Sequence, residues 1–258
     1  TPIQQTPIQQ TPIQQTPIQQ AQPQASEYAE QAKAVAANSW SMAKDMLVAP
    51  GTGVQSCMKQ ANRQLSLALI AAQALLSGLF AMVMIGESEK WIKSMMGYWG
   101  TEPIFSTGRV VGTTAICSLI ITAALFGILY GINSIFKLDL TIDQLLAATS
   151  VKSVGSAVLI VVAIVVSYVD IEKAMIIFYV GGLLGIFFLE SAIKPYMKDK
   201  KVMIPYIMFV LTILMVIIGW FVIKQGLPYY FSEDMRDGAK ELTKMLGDPM
   251  GFIMNEIF

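Results

Sequence analysis

The sequence has no histidine. That absence removes zinc proteases of the H-E-x-x-H type, Ser-His dyads and triads, His-ligated haem and His-based proton relays. Cysteine is nearly as scarce. Cys57 lies ahead of the first apolar run and Cys117 lies inside the second, so no disulfide is expected between them. Two lone thiols cannot build a structural zinc site, and both read as small apolar fillers. Gly51-Thr-Gly53 lacks the Gly-Lys-Ser/Thr ending of a phosphate loop. Lys+Arg and Asp+Glu both total 18, giving a net charge of +0 and no basic surplus for nucleic acid. These absences set the expectation of a non-enzymatic chain with no catalytic residue, cofactor or metal, and with no nucleic-acid partner.

Charge of either sign is also thin. Charged residues make up 14% of the 258 and hydrophobic residues 54%, where a soluble domain carries about 25% charged. The shortage is concentrated, since residues 110–136, 153–169, 174–189 and 202–223 hold no charge at all. Long charge-free apolar runs are the mark of membrane spans. The expected fold is therefore all-α, a polytopic transmembrane bundle of five spans with amphipathic flanking helices.

What is present divides the chain into four parts. Residues 1–24 carry four copies of Thr-Pro-Ile-Gln-Gln. A proline in every repeat blocks helix, and one isoleucine per repeat builds no core, so a disordered linker of polyproline II character is expected. Thr at position 1 sets the further expectation of a fragment or a processed form. No signal peptide is visible, so the first span would act as an uncleaved anchor. Residues 25–64 form an amphipathic juxtamembrane segment. Tyr28, Ala32, Val35, Ser39, Met42 and Met46 share one helical face, and Pro50, Gly51 and Gly53 end the helix. This weak apolar face suits the membrane surface or a partner helix better than a core.

The membrane domain occupies 65–225, with spans expected at 65–85, 110–133, 154–169, 174–192 and 202–223. Residues 86–109 read as a loop in which Trp91, Met95 and Trp99 mark a short interfacial helix. Thr141 and Gln144 have capping-box spacing, with Leu140 and Leu145 placed as a hydrophobic staple. That helix starts at the interface and runs into the third span. Pro205 sits near the start of the fifth, where proline is tolerated. The tail, 226–258, contains an amphipathic stretch with Met235, Ala239, Leu242 and Leu246 on one face.

Lysine and arginine in the short loops favour an N-terminus on the cytoplasmic side. Lys137, Lys152, Lys194, Lys198, Lys200 and Lys201 fall in the second and fourth loops; Lys90, Lys93, Arg109 and Lys173 fall in the first and third. The expected location is a cytoplasmic membrane, of bacterial type, with the bilayer as the first partner.

Few residues suggest chemistry. Glu190 is an acid inside the fourth span and a functional candidate by its depth, although Lys194 follows at the spacing of a helical ion pair. Asn133, Gln73 and Ser77 offer hydrogen bonds between helices. Asp170 and Glu172 sit in a polar turn and read as solvated. Gly127 with Gly131, Gly181 with Gly185, and Ala74 with Gly78 make small-x-x-x-small pairs that serve bundle packing or homo-oligomerisation.

Met46-Leu47-Val48-Ala49-Pro50, five spans and the segment Leu140-Thr-Ile-Asp-Gln-Leu-Leu146 together resemble the Yip family of five-pass membrane proteins, named for interaction with Ypt/Rab GTPases, and more closely its bacterial relatives. The resemblance covers about 45–225. It implies a cytoplasmic N-terminus and no catalytic motif. The bacterial relatives often carry an N-terminal zinc ribbon and then a low-complexity linker. The ribbon is absent here, so the repeats would be the linker left behind. The Rab link belongs to eukaryotic members. The leading expectation is a membrane adaptor or organiser that contacts a protein partner, a second copy or lipid. A small transporter or channel, with Glu190, Asn133, Gln73 and Thr122 as its polar lining, is the second. An enzyme acting on lipid through Asp170 or Glu172 is the third.

Overall fold

The computed structural model describes residues 22–95, 105–233, 236–238 and 240. The repeats, Trp99 and the tail residues Met235, Ala239, Leu242 and Leu246 lie outside the described residues. So do the side chains of Tyr28, Ala32, Trp91 and Met95. Among the described residues seven α-helices carry the fold: α1 (Gln22–Val48), α2 (Pro50–Gln60), α3 (Arg63–Met95), α4 (Thr107–Phe136), α5 (Ile142–Ser167), α6 (Ile171–Ile193) and α7 (Ile204–Gly226). The last five are long and apolar enough to cross a bilayer. At ~1.5 Å rise per residue even the 23-residue α6 and α7 exceed the ~30 Å hydrocarbon core. The chain is an all-α, multi-pass integral membrane protein.

The chain divides between Ala34 and Val35, inside α1. From Val35 onward α1 reaches Val48, and Pro50 then opens α2 instead of merely ending α1. Proline at a first helical position gives up an amide that has no partner there anyway. Gly53 makes the corner possible, because a Cβ on it would lie 2.5 Å from the Asp45 carbonyl oxygen. The buried face of α2 is Gly53, Val54, Cys57 and Met58, and with Met46 it joins the main core. α2 thereby docks on α5 and α6. Gln55 Nε2 fixes the register by donating to the Ser191 carbonyl at 2.6 Å.

Each following helix has a physical start. Asn62 Oδ1 accepts from the Leu65 amide at 3.1 Å to open α3. α3 then runs without a break to Met95, so residues 86–95, expected as loop, extend the span's own helix. Thr141 Oγ1 accepts from the Gln144 amide and Gln144 Oε1 from the Thr141 amide, a complete capping box at the start of α5. Leu140 and Leu145 are both buried beside it. Asp170 caps α6 by accepting from the Lys173 amide at 3.1 Å. The Lys173 ammonium, 2.7 Å away, and that amide hold the Asp170 carboxyl below the usual carboxylate range.

α5 is the axial helix. Half of its apolar window is buried, against 17% for α7 at the periphery. α5 and α6 pack most closely, through small residues. A Cβ on Gly155 would stand 3.0 Å from the Gly185 Cα, and one on Gly181 would stand 3.0 Å from the Leu159 Cβ. The larger core cluster gathers at the α2 end of the bundle. A smaller one, around Phe80, Ile160, Ala163 and Ala174, holds the opposite end, where Phe80 and Phe178 stack at 4.9 Å. That opposite end is strapped shut. The Ser106 amide donates to the Tyr230 carbonyl at 3.2 Å, Phe105 meets Phe231 at 4.9 Å, and Arg109 pairs with Glu233.

Candidate functional site

Within the span region α7 packs chiefly on α4 and scarcely touches α6. The space left between them is a cavity of about 490 Å³. Its walls are apolar stripes of α6, with Phe178, Leu183 and Ile186, and of α7, with Leu211, Met215 and Val216. Its floor comes from α3, α4 and α5 and holds the polar groups Gln73, Ser77, Ser118, Thr122 and Lys152. Tyr230 and Thr114 stand at the strapped end, their hydroxyls 3.0 Å apart. Leu183 and Val216 line the cavity yet are 56% and 66% exposed, so the cavity opens sideways between α6 and α7, towards the lipid-facing surface.

The floor is built around Gln73, which is 6% exposed. Its amide nitrogen donates to Ser77 Oγ at 3.0 Å and to Ser118 Oγ at 3.2 Å, joining α3 to α4. Ser77 Oγ in turn donates to the Gln73 carbonyl, and Thr122 Oγ1 donates to that of Ser118. Gln73 Oε1 is buried with no hydrogen-bond partner. An acceptor left in that state costs roughly 1–3 kcal/mol.

Lys152 is the residue that reading the sequence misplaces. By sequence it falls among the loop lysines, because the charge-free run begins at Ser153. The capping box starts α5 ten residues earlier, so Lys152 lies ~15 Å along the helix, inside a span. With it removed, the loop count narrows to five against four, and charge carries less of the orientation argument. No carboxylate among the described residues lies within salt-bridge distance of Lys152. A lysine at the centre of a membrane helix costs about 2.5–3.5 kcal/mol on insertion scales, which marks such residues as functional candidates. Gly185 makes room for it: a Cβ there would stand 2.7 Å from the Lys152 carbonyl and 3.3 Å from its Cγ.

The other candidates scatter. Gln73 and Thr122 line the cavity; Glu190 and Asn133 do not. Asn133 works within its own corner and not between spans. Its Nδ2 donates to the Leu140 carbonyl at 3.0 Å, and its Oδ1 accepts from the Leu140 amide at 3.1 Å. Glu190 and Lys194 form no salt bridge; their link is the Lys194 amide donating to the Glu190 carbonyl at the end of α6. Ala74 is buried, and Gly78 lies against the Val111 carbonyl of α4, 2.7 Å from where its Cβ would be. Gly181 and Gly185 face α5, whereas a Cβ on Gly127 or Gly131 would meet open space. Cys117 lines the cavity. Cys57 sits in the core beneath α2, where burial pushes its thiol up to about 11 despite a bond with Ser150.

Among the described residues no acid lines the cavity, so its character is that of an apolar slot with a polar, cationic floor. No protein family, curated protein or solved structure matches the chain.

Proposed function

We propose that this membrane protein receives a small ligand from the bilayer in the α3–α7 cavity and acts as a binding or carrier protein. One observation carries the reading: a cavity of about 490 Å³, inside the ~300–1,000 Å³ range of small-molecule sites, combines apolar walls with convergent polar groups and opens sideways between two spans. Gly182 and Gly219 line it, and a Cβ on either meets nothing within 4 Å, so both can be enlarged without touching the backbone. The test uses a pyrene-bearing acyl probe with protein in nanodiscs. Wild-type protein is expected to quench or shift its emission saturably. Gly182→Leu with Gly219→Leu, at unchanged melting temperature, is expected to abolish that signal. Saturable binding that survives the filled cavity would place the ligand elsewhere and end the reading.

A second reading, the adaptor or organiser suggested by the Yip-like layout with a cytoplasmic N-terminus, is supported by a different surface. Trp40 and Val48 on α1 are 72% and 76% exposed. Such apolar side chains beside a membrane suit a partner or the interface. Cross-linking in native membranes, with Trp40→Ala as control, tests it. A stoichiometric partner lost with Trp40 supports the adaptor, and recovery of the chain alone opposes it.

A further inference from the structure

We infer that the cavity takes a single-chain amphiphile whose head carries one negative charge and one hydrogen-bond donor, with the head at Lys152 and Gln73 and the chain between α6 and α7. This rests on the ligand-receiving reading above. Two independent groups define the head. Lys152 is a cation inside a span, lining the cavity, with no carboxylate among the described residues to pair with it. Gln73 Oε1 is a buried acceptor, its own amide hydrogens already given to Ser77 and Ser118. A bare carboxylate would satisfy the lysine but repel the amide oxygen. A head with an anion plus an N–H or O–H satisfies both.

The rest of the ligand follows from the walls. Leu183 and Ile186 on α6 and Met215 and Val216 on α7 make the walls mainly apolar, with Tyr179 and Thr212 as their polar members. On α4 the lining runs from Thr114 to Leu125, a slot ~16 Å long by helix rise. A free inorganic anion would leave that length unfilled. The sideways opening lets an amphiphile enter from the bilayer without its chain crossing water.

The test compares four probes on wild-type protein in nanodiscs. They are an N-acylglycine, the fatty acid of the same chain, the N-acylglycine methyl ester, and acetate with no chain. Expected affinity falls in the order N-acylglycine, fatty acid, ester, and acetate displaces nothing. Lys152→Met is expected to weaken the N-acylglycine about ten-fold, to the level of the ester, while leaving the ester unchanged. Lys152→Arg keeps the preference for acid, which separates charge from folding should the methionine variant prove unstable. Gln73→Leu removes the advantage of N-acylglycine over fatty acid. Equal binding of acid and ester by wild-type protein, or no effect of Lys152→Met on the acid, overturns the inference while the cavity reading stands. Displacement by acetate also overturns it, in favour of a free anion. Failure of every chain-bearing probe to bind overturns the cavity reading as well.

Discussion

Gly185 and Gly127 carry the same side chain, a hydrogen, under opposite constraints. A methyl group on Gly185 would collide with the Lys152 carbonyl and Ser156 Oγ, both 2.7 Å away, whereas one on Gly127 meets nothing. Gly185→Ala is therefore expected to lower stability by about 1–3 kcal/mol through overpacking. Gly127→Ala is expected to be neutral or to gain up to about 1 kcal/mol from helix propensity. Thermal melting in detergent measures both, and equal losses would contradict the packing described. Cys57 supplies a second residue-scale test. With 3% exposure and a thiol raised to about 11, it stays protonated at pH 8 and is expected to resist maleimide until the protein unfolds. Mass spectrometry of labelled Cys117→Ser protein reads this directly.

At the scale of the helix, the caps decide where each span begins. Thr141→Ala removes one half of the capping box and is expected to cost ~1 kcal/mol. The neighbouring Arg63–Asp143 pair, 63% and 43% exposed, is expected to contribute less than about 1 kcal/mol on removal of the arginine. Asp170 gives a pH dependence of definite sign. Its folded carboxyl titrates below its unfolded value of about 3.9. Its contribution is thus present above that pH and is lost as pH falls through the folded value. Between about pH 5 and pH 2 the melting temperature of Asp170→Asn should fall less steeply than that of wild type. Element boundaries are also where reading from sequence succeeds and fails. The five spans and the Thr141 start are legible because charge-free length and cap spacing are local signals. α2 is not, because Pro50, Gly51 and Gly53 look like breakers; only the close approach to Asp45 shows why a glycine is needed there. Lys152 is misplaced for a related reason. Hydropathy dates the span from Ser153, while Ala147, Ala148, Thr149 and Ser150 are small residues buried in helix contacts that no apolar run announces.

For the whole molecule, five spans place the two ends of the bundle in different compartments. The α2 end is massively packed, the opposite end is tied by Phe105–Phe231 and Arg109–Glu233, and between them the bundle leaves a lateral gap at α6 and α7. No sequence pattern marks that gap. The α6 and α7 stripes that line it are as apolar as those facing lipid, and its polar floor is drawn from three helices far apart in the chain. Native mass spectrometry of the protein released from its own membranes asks whether this gap is a ligand site, with wild type beside Gly182→Leu/Gly219→Leu. A ligand site there should retain one small acidic amphiphile per wild-type chain and none on the filled variant; identical spectra from the two proteins would refute it.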